Sequence, residues 1–468
     1  STLTLDCPHA SISDITADVS GFGTIQADGT TKFSNTVKAT NLVLGSGSTV
    51  YFTNTASATF TNIKSEEKSN PGYIQYIKND DGYKQITVTG EILNTVYIGL
   101  ADEEGRLLPF AEKDTVLTAK TADFTNILIT GGAPEGTTLA RVGSDIKVLP
   151  IAMTLKYTIN VNNVEIQFAQ WSDVLSTIAA NAKAGNKDID YLVILTNDLD
   201  INGAFKMPAA KTFDKLTFIS HNDEKPNKIN TITFTGNIAL TGNTIFQKVQ
   251  LDSVKKVNGA NTSVDFTIAA GKNELTLNGV KTPKSIKSIT SSGIVNLSNV
   301  TVNTVNAAII GIASEGYLDS YYLQSLNSDA TSEAAWEGKP IENTSVTVTG
   351  NLTAKTYLYF IDEKASLTVK GILNTVQIKT EPVLTEDGDC VLVVYRQANN
   401  RNPLVIGKNG FGSDSKQIKF ILADPETDKT AQITEKTVIG TIAGPYADQL
   451  APSDDNLAEN DSYYIIKD

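Results

Sequence analysis

The sequence predicts an all-β protein of short strands stacked as a solenoid, and three observations predict it. Threonine, asparagine, valine and isoleucine recur in alternating runs, such as Thr231 to Gly236, Glu274 to Gly279 and Ser345 to Gly350. Alternation of large apolar residues with Thr or Asn is the period of a half-buried strand, and Gly or Asn-Gly ends a run where positive φ is needed. The runs repeat: Thr347, Val348 and Gly350 return as Thr368, Val369 and Gly371, 21 residues later. A period near 20 is one turn of a solenoid, in which each layer buries its apolar face on the next. Two-residue hairpin loops are rare, and Asn is abundant near the bends, where it can bond along the stack.

Composition agrees. Of 468 residues, 40% are hydrophobic and 19% charged, which suits a packed core rather than disorder. Lys and Arg number 39 against 52 Asp and Glu, a net charge of -13. That excludes general affinity for nucleic acid or anionic membranes, both of which need positive charge. Two histidines, His9 and His221, leave little for His-based catalysis or zinc, and Cys7 and Cys390 read as free thiols. No apolar run approaches the roughly 20 residues of a membrane span. The start at Ser1, without Met or leader, reads as an excised piece of a longer chain.

A longer repeat divides the chain. Leu3 to Leu5 match Leu275 to Leu277, Ser11 to Thr16 match Ser285 to Thr290, and Ile92 to Val96 match Ile372 to Val376. Gly72 to Ile74 correspond to Gly316 to Leu318, and 86–90 match either 346–350 or 367–371, choices one layer apart. The boundary falls at Pro150. Residues 1–150 are expected to be the back part of a first unit, and 151–468 a complete second unit. Residues 168–184 carry the one strong helical stripe, Trp171, Val174, Leu175, Ile178, Ala179 and Ala182. A helix there caps the open end of a solenoid. Trp171, Leu175 and Ile178 are expected to bury near Val193 and Leu216.

These features resemble the right-handed parallel β-helix (pectin-lyase-like) domains of tandem cell-surface proteins of gut Firmicutes. The residues that carry the likeness are Gln170 to Ile178, Tyr191 to Asp198, Met207 with Pro208, and Leu216 to Ile219, ahead of the Thr/Val/Gly layers. The resemblance implies two tandem right-handed β-helices, secretion and display on a Gram-positive cell wall, as stalk or adhesin. The alternative it leaves open is a polysaccharide-acting lyase or glycosidase, or a carbohydrate-binding module, because fold alone does not fix function. Hydrolases of that fold carry Gly-His-Gly and Arg-x-Lys motifs, and this chain has neither; its arginines are Arg106, Arg141, Arg396 and Arg401. The reading is therefore non-enzymatic, without cofactor.

Two groups of residues are candidates for binding. Asp198, Asp200 and Asn202 copy the first half of a calcium loop, but Ala209 stands where the closing Glu is needed, so a strand end is the expected outcome and no metal is assigned. The second group is aromatic: Tyr73, Tyr76 and Tyr83 in one segment, and Tyr317, Tyr321 and Tyr322 with Trp336 in the matching one. Exposed Tyr and Trp are what sugar rings and protein partners stack on. Rings that seal the side of the solenoid as structural plugs are the first reading. The alternative is a recognition surface for a polysaccharide or a host or bacterial surface ligand, which requires Tyr73, Tyr76, Tyr317, Tyr321 and Tyr322 to be more than about a third exposed. Gly407 to Gly412 lack the context of a phosphate loop and are expected to form a turn.

Overall fold

The computed structural model describes residues 1–6, 13–119, 124–220, 228–314, 345–362, 364–380, 390–395, 404–411, 418–423, 450–452 and 463–466. The chain is all-β, with largely parallel sheets and, among the described residues, one α-helix. It divides into two compact units: 1–152 with 167–173, and 153–166 with 174–468. No described helix is long and apolar enough to cross a membrane.

The first unit holds a nine-stranded and a seven-stranded sheet. In the larger one, Val19–Asp28 pairs in parallel with Val37–Leu44, and that strand with Ala58–Ser65. In the smaller one, Thr30–Phe33, Thr49–Phe52, Tyr73–Ile77 and Val96–Ala101 follow one another, also in parallel. Alternate residues point inward, so Ile25, Leu42 and Ile63 form one buried row and Phe33 and Phe52 another. The two phenyl rings stack at 5.5 Å. Parallel order stops where Thr115–Ala119 meets Asp145–Pro150 antiparallel and Thr137–Val142 folds back on it.

The second unit opens with a hairpin that the sequence does not announce. Met153–Ile159 and Asn162–Phe168 are joined at Asn160 and Val161, both at positive φ. Met153–Ile159 then runs antiparallel to Asp190–Leu195. From there the pairing is parallel: Asp190–Leu195 with Lys215–Ser220, then Asn243–Gln247, Leu275–Asn278 and Ile294–Ser298. The 21-residue period is the strand register itself, because Thr347 pairs with Thr368 and Val348 with Val369. Leu352 likewise pairs with Leu373. Like residues therefore stack on like, as Phe218 does on Phe246 at 5.1 Å.

The glycine that closes each Thr-Val run has a different cause from the one expected. Gly90, Gly350 and Gly371 are absent from the positive-φ residues, although Gly236 and Gly279 are among them. What Gly90 cannot accept is a Cβ, which would lie 2.6 Å from Asn62 Oδ1 and 2.7 Å from the Thr61 carbonyl. At Gly371 it would strike the Gly350 carbonyl and Asn351 Oδ1. The next residue donates its N–H to that same Asn: Glu91 to Asn62 Oδ1 at 3.0 Å, Ile372 to Asn351 Oδ1 at 2.9 Å. Asn62 in turn donates to Asn41 Oδ1 at 3.0 Å. Asn residues thus do bond from layer to layer, satisfying backbone groups at bends where the ladder cannot.

Further expectations need correction. The helix runs over Trp171–Lys183 with Trp171, Val174, Ile178 and Ala182 buried, but Leu175 is half-buried and Ala179 exposed. Trp171 groups with residues 1–152, whereas the helix from Val174 onward groups with the second unit. Gly407 to Phe411 lie within the strand Leu404–Phe411, where Thr375 pairs with Ile406 but Gln377 with Gly410, a two-residue bulge rather than a turn. Hairpins are also commoner than expected, with a third at Asn258 and Gly259. Asn-Gly suits the two positive-φ positions of a type I′ turn.

Candidate functional site

The strand Tyr73–Ile77 separates its tyrosines by face. Tyr76 points inward beside Ile74 and is 0% exposed. Its ring stacks on Tyr83 at 5.9 Å, and Tyr83 meets Phe110 edge-on at 6.0 Å. The Tyr83 hydroxyl donates to the Thr115 carbonyl at 2.9 Å. Burial holds both hydroxyls well above the ordinary phenol range. Tyr76 therefore follows the plug reading and not the recognition one, and Tyr83, half-buried and tethered, joins it in plugging the core.

Tyr73 faces the other way and is half-buried. It pairs in register with Tyr97, which pairs with Leu128, 45% exposed. The two rings stack at 5.0 Å with 14° between planes, each covering one face of the other. Sequence reasoning missed Tyr97, which the parallel register places over Tyr73 at a spacing of 24 residues rather than 21. In the adjoining row Gln75 donates to Thr130 Oγ1 at 2.9 Å, reaching across Gly99, where any Cβ would block the bond. Tyr317, Tyr321, Tyr322, Trp336, His9, His221 and Cys7 lie outside the described residues. Cys390 is a buried free thiol that donates to the Asp362 carbonyl at 3.1 Å.

The carboxylates of the calcium-like motif do strand-end work. Asp198 Oδ1 accepts the N–H of Thr231 at 2.8 Å, and Asp200 Oδ1 accepts that of Asn202 at 2.8 Å, with Asn202 at positive φ. Leu199 is buried and Ile201 half-buried. Among the described residues no group of three or more His, Cys, Asp or Glu is placed to hold a metal ion. Elsewhere Asp18, Asp265 and Asp362 also accept backbone N–H groups distant in sequence, those of Thr36, Ser285 and Ser314, at the ends of strands.

The motif nevertheless borders a cleft of about 400 Å³ in the second unit. Strand Leu199–Ala204 pairs with Thr231–Thr235 through Asp200 with Thr233 and Ala204 with Thr235, so two residues bulge out around Asn202. The next strand, Gln250–Val257, continues beyond the sheet as a hairpin with Ala260–Ser263, opposing Lys256 to Asn261. Bulge and hairpin form the walls. Asp200, Asn202, Lys256 and Asn261 are exposed at the rim, while Val254 and the core ring Phe234 lie beneath them. Phe234 is held by Phe205 at 5.8 Å and Phe266 at 5.3 Å, so the floor is rigid. Comparison of the chain with protein-family models, curated proteins and solved structures finds no match.

Proposed function

We propose that the chain is a non-enzymatic repeat module, displayed on the surface of a Gram-positive bacterium as a stalk or adhesin-like spacer. In this reading each unit is a right-handed parallel β-helix, and the two stand in tandem within a longer surface protein. The observation that carries it is the use made of polar side chains. Asn41, Asn62, Asn351 and the carboxylates of Asp18, Asp198, Asp265 and Asp362 bond to the backbone or side chains of other strands. Groups held this way are braces, not free acids or bases. In-register pairing repeated layer upon layer builds a scaffold that grows by adding like units, the physical requirement of a stalk. The acidic balance, -13 overall, keeps neighbouring copies apart.

The test is a reducing-sugar assay over plant and host polysaccharides, run beside surface labelling of intact cells that express the parent protein. The proposal expects no turnover and accessible labelling. Turnover that disappears on substitution of a carboxylate would overturn it in favour of a polysaccharide-acting enzyme.

A further inference from the structure

We infer that the cleft between the Asn202 bulge and the Asn258–Gly259 hairpin binds one residue of a neutral sugar, a hexose or N-acetylhexosamine at the end or branch of a glycan. The inference does not rest on the stalk reading, since a stalk without this ligand would still be a stalk.

Size comes first. About 400 Å³ lies in the range of small-molecule sites and has room for one or two sugar rings. Chemistry then selects the class. The rim offers one carboxylate, Asp200, and one ammonium, Lys256, so the charges cancel and neither an anion nor a cation is matched. A divalent cation would meet a single carboxylate, with one oxygen already accepting from Asn202, and a lysine in the same cleft. The remaining polar groups are neutral and two-sided: the amides of Asn202 and Asn261 and the hydroxyl of Thr235 each donate and accept. Adjacent sugar hydroxyls need this mixture. The floor is apolar where Val254 comes nearest the surface, at 7% exposure, and Gly203 and Gly259 let the ligand approach the backbone closely.

The site is also built to persist. The bulge is fixed by the Asp200–Asn202 turn and the hairpin by an Asn-Gly pair at positive φ, φ 51° and 83°. Ser263 donates to Asp252 Oδ2 at 3.1 Å, locking the base of the hairpin to its partner strand. The walls therefore keep their spacing without a ligand, and ordering costs on binding stay small.

Saturation-transfer difference NMR on the whole chain tests the proposal, with glucose, galactose and N-acetylglucosamine as probes and calorimetric titrations of calcium and glycine alongside. At least one sugar should show transfer. Asn261→Ala should weaken it roughly tenfold, the worth of about one hydrogen bond. Asp200→Asn keeps the Asn202 turn but removes the charged acceptor, and should weaken binding similarly. Tyr97→Ala, in the other unit, should leave it unchanged. Transfer from none of the sugars, transfer indifferent to both cleft variants, or calcium or glycine binding lost in those variants would each overturn the proposal.

Discussion

Replacing Gly371 by Ala tests why a glycine ends each Thr-Val run. The added Cβ would strike the Gly350 carbonyl and Asn351 Oδ1, neither of which is the loose end of a long side chain. Relief requires the two layers to part, which stretches the bond from Gly371 N–H to the Gly350 carbonyl at 3.0 Å and that from Ile372 N–H to Asn351 at 2.9 Å. Two weakened hydrogen bonds at about 0.5–1.5 kcal/mol each, with an overpacking cost of about 1–3 kcal/mol, give a loss of about 2–6 kcal/mol. The control is Gly236→Ala, in the same unit. Gly236 sits at φ 78° with nothing within 4 Å of its missing Cβ, so only the left-handed backbone is penalised, by about 1–2 kcal/mol. Asn should be better tolerated than Ala at 236 and worse at 371. Urea denaturation of the four variants reads these differences directly. Equal losses for the two alanine variants, or a larger one at 236, would refute the close-approach argument.

Other perturbations follow from the same contacts. Asp362→Ala strips the acceptor from the N–H groups of Ser314 at 2.6 Å and Lys364 at 2.9 Å, and should cost about 2–5 kcal/mol in the second unit's denaturation. Burial raises the Asp173 carboxyl to about 6, against the opposing pull of Arg141. The folded chain therefore holds that proton more tightly than the unfolded one, and stability should fall as pH rises from about 4 to 6. Asp173→Asn should flatten that slope and stabilise at neutral pH by less than about 2 kcal/mol, solvent screening being substantial at a half-exposed site; a steeper slope would contradict it. Tyr76→Ala should cost about 3–5 kcal/mol and Tyr73→Ala about 1 kcal/mol, because only the first ring is fully buried. Similar losses would show that the two faces of that strand are misassigned.

The parts of this fold that were legible share one cause. In a parallel, in-register sheet the residue above is the residue one period later, so Thr347 and Thr368 spell out their own pairing. The helix was legible because Trp171, Val174, Ile178 and Ala182 hold a single stripe. The Met153–Ile159 hairpin was not, since Val161 sits 95% exposed at φ 64° where Asn-Gly would have announced the turn. The division between Tyr73 and Tyr76 was available and overlooked: Ile74 is apolar, and residues two apart share a face. The cleft was beyond reach. Its walls, at Asn202 and Asn261, meet only because Thr231–Thr235 pairs with a bulged strand on one side and a hairpin strand on the other, and no local pattern encodes that.

The register of 21 residues is the claim on which the rest stands, and disulfide trapping measures it. In a Cys7→Ser background, Cys at 347 and 368 would face each other across one parallel step, about 4.8 Å apart at Cα and within disulfide range. Cys at 347 and 366 would share a face but lie two residues out of register, at about 7–8 Å or more. Mass mapping after mild oxidation should find the 347–368 bridge nearly complete and the 347–366 bridge scarce. A preference for 347–366, or no bridge in either variant, would contradict the stacked parallel architecture.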